Sequence, residues 1–196
     1  MELLIVLGVL AVLAVFLVGI YNGLVQRRLR VDEAWAQIDV QLKRRHDLIP
    51  NLVNAVKDFM GFEQEVLTRV TEARAGAVNA GTGAGGAASV AAAGQVAQVA
   101  AAENQLSQAL RGFFAVVENY PDLKSNQNVL SLQEELSTTE NQISFSRQHY
   151  NAVVRDYNQA IQQVPGVIFA GMLGFSAREF FEAEEAAREV PQVSLR

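Results

Sequence analysis

Hydrophobic positions follow two regimes along this chain. Residues 3–20 form one uncharged, mostly aliphatic run of eighteen residues. At helical rise that run extends about 27 Å, close to the roughly 30 Å hydrocarbon core of a bilayer. Beyond it the apolar positions become periodic. Val31, Trp35, Ile38 and Leu42 recur at steps of four, three and four, one stripe of an amphipathic helix. Leu24 and Val25 continue the pattern without a breaker, so the spacing predicts one helix that leaves the apolar run and ends near residues 45–47. Pro50 suits the first turn of a second helix with Asp47 as its cap. That helix carries Ile49, Leu52, Val56, Phe59, Val66, Val70 and Ala73, with Gly61 as a local weakness.

Residues 76–94 change to Ala, Gly, Thr and Ser, the composition of a flexible linker. A third helix holds Val96, Val99, Leu106, Leu110, Phe113, Phe114 and Val117 and stops before Pro121, because proline disfavours helical geometry in the residue preceding it. A fourth holds Val129, Leu132, Leu136, Ile143, Tyr150, Val153, Tyr157 and Ala160 and ends at Pro165-Gly166. Its start is open between Asp122, Ser125 and the capping-box spacing of Ser131 and Glu134. An apolar stretch at 167–175 and an acidic helical tail at 177–189 follow.

This pattern predicts an all-α fold, an antiparallel bundle of about four long helices with an N-terminal transmembrane helix. The domains expected are an anchor at 1–23, a bundle at 24–164 and a C-terminal apolar segment and tail at 165–196. Alternating helix directions bring the Gly/Ala linker and residues 164–175 back toward the membrane. The latter segment is too short to span. It is left to lie in the interface, to pack under the bundle or to contact another subunit.

Charge and composition refine this picture. Glu2 is acidic and residues 21–24 offer no small-residue cleavage site, which favours a retained anchor over a signal peptide. Arg27, Arg28 and Arg30 flank the run on its C-terminal side. The positive-inside bias then puts the N-terminus outside and the helical body in the cytoplasm of a single-pass cell-membrane protein. The same arginines are candidates for contact with anionic lipid. A net charge of −5 argues against a dedicated nucleic-acid binder, and the absence of cysteine excludes disulfides and thiolate sites. Gly81-Thr82-Gly83-Ala84-Gly85-Gly86 matches G-x-G-x-x-G in form, but no strand precedes it.

Charged residues interrupt the apolar seams. Asp39, Arg45, Glu63, Glu140 and Arg147 are candidates for a buried polar cluster that sets bundle register, with solvent-facing side chains as the competing reading. The two histidines, His46 and His149, lack the Glu-x-x-His spacing of helical di-iron sites, so no metal or other cofactor is expected. No nucleophile elbow or His-Glu-x-x-His is present, and no catalytic residue is assigned. Gly19 and Gly23 form a small-xxx-small pair on the anchor. With Phe169, Phe175, Phe180 and Phe181 they are the interface candidates.

Several long, polar stretches resemble the bacterial LemA family. They are residues 21–25, 31–45 (Val31-Asp32-Glu33-Ala34-Trp35 onward), 47–53 with Pro50, and 118–124 with Tyr120-Pro121. Further ones are 134–136, 139–141, the pairs Tyr150-Asn151 and Tyr157-Asn158, Gly174-Phe175 and Phe180-Phe181-Glu182. The Gly/Ala stretch and Gly61-Phe62-Glu63, where the family more often has a histidine before the glutamate, depart from it. The resemblance implies a single-pass cell-membrane protein with a cytoplasmic helical bundle and no established enzymatic activity. The expectation is therefore a non-enzymatic scaffold that contacts the lipid bilayer, forms a homo-oligomer and organises or remodels the membrane. The alternative is an accessory protein for a membrane partner such as a protease or an envelope-stress system.

Overall fold

The computed structural model describes residues 1–57, 63–83 and 94–181. Among these residues six helices follow one another: α1 (Glu2–Lys57), α2 (Gln64–Gly83), α3 (Gln95–Val117), α4 (Pro121–Lys124), α5 (Gln127–Gln162) and α6 (Gly166–Phe169). The described residues contain no strand. Four long helices alternate in direction, as the periodicity predicts. The main packing surfaces join α1 to α5 and α2 to α3.

The first turn lies later than expected. α1 does not end at 45–47 but continues through Pro50 to Lys57, about 84 Å of helix that includes the apolar run. Its buried positions explain the continuity. Val31, Trp35, Ile38, Leu42, Arg45, Ile49, Leu52 and Val56 keep one heptad-like stripe across the proline. Proline has no N–H to give to the carbonyl four residues earlier. Here that carbonyl belongs to His46, and Arg74 Nε of α2 donates to it at 2.7 Å. A neighbouring helix thus satisfies the acceptor that Pro50 leaves free. Residues 58–62 lie outside the described residues, and with them the expected roles of Phe59 and Gly61.

Two other boundaries differ. α2 runs on to Gly83, so the first part of the Gly/Ala stretch is helical; packing of Ala77 and Ala80 against the bundle overrides the weak propensity of Gly76, Gly81 and Gly83. α5 begins at Gln127 with Asn126 as its cap, whose side chain accepts from the amides of Asn128 (2.9 Å) and Val129 (3.3 Å). Neither Ser131 nor Ser125 serves that role.

Two apolar cores lie along the bundle. The one nearer the apolar run joins Leu24 to Leu42 of α1 with Val96, Val99 and Ala100 of α3 and Ile143 to Ile161 of α5. The distal one joins Ile49, Leu52 and Val56 with Val66, Val70, Leu106, Phe113 and Leu136. Past α5 the chain doubles back through α6. A Cβ at Gly166 would lie 2.0 Å from the Ala160 carbonyl oxygen, so only glycine permits this approach. Gly174, at φ 75°, turns the chain again. Residues 175–181 then run extended along α5, where an acidic helix was expected from 177; the remainder of that tail, 182–189, lies outside the described residues.

Candidate functional site

Between the two cores lies a layer of charge. Arg45 of α1 is 1% exposed and reaches α3 and α5 together. Its guanidinium pairs with Glu103 Oε2, bonds Glu140 Oε2 at 2.6 Å and donates to Ser107 Oγ at 2.9 Å. His46, the next residue on α1, donates Nε2–H to the other Glu103 oxygen at 2.8 Å. Ser107 Oγ lies 3.4 Å from Glu140 Oε1 and closes the ring. Four elements are thereby keyed to one level of the bundle, since Arg74 of α2 already holds the His46 carbonyl.

The chemistry of this layer is that of a structural lock. Burial alone would raise the Glu103 pKa, but the His46 hydrogen bond and the Arg45 charge outweigh it and hold the carboxyl below its ordinary value. Both Glu103 oxygens are engaged, and Arg45 occupies the place a cation would take between the Glu103 and Glu140 carboxylates. A group with a depressed folded pKa contributes stability above its unfolded value, about 4.5, and loses it as pH falls through the lower folded value. Acidification from pH 6 to pH 3 should therefore lower the Tm of the wild type more than that of Glu103→Gln. Parallel acid slopes for the two proteins in scanning calorimetry would contradict an ionised, stabilising Glu103.

Arg45 and Glu140 are the two sequence candidates that meet here. Asp39 does not join them; it is partly exposed and bonds Lys43 one turn on at 2.6 Å. Glu63 is exposed at the start of α2, where its carbonyl accepts from Val66 and Leu67. Arg147 lies nearer the apolar run, its guanidinium 4.4 Å above the Phe181 ring. Glu103, His46, Ser107 and Arg74 are members that sequence reasoning missed. Glu103 carried a signal: Val96, Val99, Glu103, Leu106, Leu110 and Phe113 are spaced three, four, three, four and three.

A second constellation holds the extended C-terminal segment, residues 175–181, as a strap on α5. Asn158 clamps Arg178 through both backbone groups: Nδ2 donates to its carbonyl and Oδ1 accepts from its amide, each at 2.8 Å. Asn151 does the same to Phe181, at 3.0 and 2.8 Å. The neighbouring tyrosines add a parallel pair. Tyr157 donates to the Ser176 carbonyl at 2.9 Å and Tyr150 to that of Glu179 at 3.0 Å. The repeat fits for a geometric reason. Seven helical residues rise about 10.5 Å, and three extended residues cover about 10 Å. The strap therefore advances three residues for each heptad of α5, in the opposite direction.

Arg178 ties the strap to α1 through Asp32 at 3.1 Å. Phe181 is buried against Trp35, ring centroids 6.0 Å apart, and Trp35 also packs on Tyr150 at 5.5 Å. Burial pushes the Tyr150 phenol up to about 12 and raises Tyr157 as well. The interface candidates divide accordingly. Phe175 and Phe181 are buried within the chain, because the strap folds back on α5 and α1; Phe169 is half-buried and Phe180 exposed. Around Gly19 and Gly23 the space is open, and Arg27, Arg28 and Arg30 are exposed.

α1 is long and apolar enough to cross a membrane, and no residue of its most apolar stretch is buried within the chain. The LemA family model matches residues 34–195, from the Trp35 stripe across the polar layer and the strap. The chain belongs to the LemA family. Two relatives, magnetosome proteins MamQ 1 and MamQ 2 of Paramagnetospirillum magneticum, are each 27% identical over 202 residues, covering 96% of this chain and 74% of the relative. Magnetosome protein MamQ of Magnetospirillum gryphiswaldense is 25% identical over 187 residues, covering 89% and 68%. Among its described residues this LemA-family chain has an all-α fold with one helix long and apolar enough to span a membrane.

Proposed function

We propose that this LemA-family protein is a non-enzymatic scaffold, tethered by α1, that self-associates at the cell membrane and organises it, with its N-terminus outside and its bundle in the cytoplasm. The observation that carries this reading is the unbroken passage of α1 from apolar span to bundle core. A continuous helix passes the orientation of the span to the bundle, as a flexible tether cannot. The buried charged groups support the same reading, because they are spent on holding helices together. The relatives named for the magnetosome fit a role tied to a membrane structure.

The full chain, purified in mild detergent and returned to nanodiscs, should appear as a defined oligomer by mass photometry. A monomer in both settings would remove self-association. Recovery of one stoichiometric membrane-protein partner with that monomer would favour an accessory role instead.

A further inference from the structure

Residues 164–175 contain no charged side chain. They fold into a knob around α6 with two faces. Gly166, Ala170 and Phe175 point inward, whereas Val164, Val167, Ile168, Met172 and Leu173 are exposed. Met172 is the extreme, at 86% exposed. Five aliphatic side chains on one small protrusion constitute an apolar patch of the kind that marks a contact surface.

The position of the knob identifies what covers it. Phe175 packs edge-on against Tyr21, ring centroids 5.7 Å apart, and Ala170 shares a core with Leu24 and Ile161. Ile20, the last residue of the apolar run, packs against that same core. The knob is thus held beside the end of the span. The first charged residue after the run is Arg27, seven residues and about 10 Å further along the helix. Tyr21 sits at the level where amphipathic aromatic rings favour the bilayer boundary. Between Ile20 and Arg27 lies an uncharged collar, and the knob occupies one side of it.

We propose that this knob is a second membrane contact, inserted into the boundary between headgroups and acyl chains next to the span. The inference rests on α1 being embedded in the bilayer and is independent of oligomeric state and of which side carries the bundle. Lipid is its occupant because the span that touches the knob must itself end in lipid at that level. An uncharged segment of this length is too short to cross but suits the interface, where apolar side chains bury roughly 5–10 Å deep. Two contacts fix the tilt of the bundle relative to the bilayer, which a single helix leaves free. The strap begins at the knob, so the contact also restrains the clamped segment on α5.

The absence of cysteine permits a direct test. Met172→Cys, Leu13→Cys and Phe145→Cys, each in the full chain, carry a nitroxide label and are reconstituted in liposomes of zwitterionic lipid. Leu13 lies in the span, and Phe145 is a 71% exposed apolar residue on α5, away from the knob. Circular dichroism checks helix content. Power-saturation spectroscopy should show the label at 172 protected from a water-soluble nickel chelate and reached by oxygen, as at 13 and unlike 145. A label at 172 that behaves as at 145, with 13 protected, overturns the knob contact alone. A water-exposed label at 13 overturns the embedding of α1 and the knob with it. Spin–spin broadening at 172 that is lost on dilution with unlabelled protein, together with protection that is lost on dilution into excess lipid, overturns lipid in favour of a second copy.

Discussion

Arg45→Met should destabilise the bundle by about 3–5 kcal/mol, the cost of leaving a buried charge without its partner. For a protein of this size that corresponds to a fall in Tm of about 6–20 °C. The reason is the position of Glu103. Its side chain is buried and its carboxylate faces Arg45 on one side and His46 on the other. Without the guanidinium it must take up a proton or remain charged in an apolar setting, and Ser107 loses a donor at the same time. Glu140 suffers less, since its side chain is 47% exposed and water replaces Arg45.

Replacing both charges is informative. Arg45→Met with Glu103→Leu removes the pair together, and a buried ion pair exchanged for apolar side chains is often neutral. The double variant should therefore be more stable than Arg45→Met alone, a positive coupling in a double-mutant cycle. Thermal unfolding in detergent, followed by circular dichroism, provides the comparison. A change within about 0.5 kcal/mol for Arg45→Met, the range of ordinary surface substitutions, would sink the idea that this layer locks the bundle.

Asn151→Ala combined with Asn158→Ala should release the strap while the α1–α5 pairing persists. The two asparagines make four hydrogen bonds to the backbone of Arg178 and Phe181. At about 0.5–1.5 kcal/mol net each, their loss removes roughly 2–6 kcal/mol from the closed state of that segment. Hydrogen exchange at the amides of Arg178 and Phe181 should accelerate by roughly 30-fold or more, with little change in the middle of α5. Trp35 supplies a second signal. It is the single tryptophan of the chain and Phe181 covers it, so its fluorescence should shift to the red on release. Unchanged exchange at both amides would show that the tyrosines and Phe181 hold the strap without the asparagines. Alkali offers an independent route. A phenol whose folded pKa is raised contributes stability that is full below its ordinary value, near 10, and is lost as pH climbs through about 12. A Tyr150 phenolate cannot donate to the Glu179 carbonyl, so the strap should loosen over that window.

Legibility differed with the kind of interaction involved. Helix existence and direction could be read because apolar side chains repeat with the helical period whatever they touch. Arg45 and Glu140 could be marked because each interrupts such a repeat. Glu103 was equally readable but sits in an alanine-rich stretch, where a core position attracts little notice. The helix boundary at 45–47 failed because a local rule about proline was overridden by Arg74, on a different helix. The strap was hidden for another reason: its partners are backbone groups, which every residue possesses, so residues 176–181 bear no mark of what they bind. What remained visible was the other half, two Tyr-Asn pairs seven residues apart.

By itself the sequence determined an apolar segment long enough to cross a bilayer, an unbroken helix leading out of it and the all-helical, antiparallel body. These follow from runs and periods of hydrophobicity, which act through solvent and need no particular neighbour. Only the tertiary structure decided which charges meet, that Arg45 joins Glu103 and Glu140 and leaves Asp39, Glu63 and Arg147 elsewhere, and that residues 175–181 return along α5 as a strap. Hydrogen bonds and ion pairs act over about 3 Å, so the packing of three helices had to be known before their partners could be named.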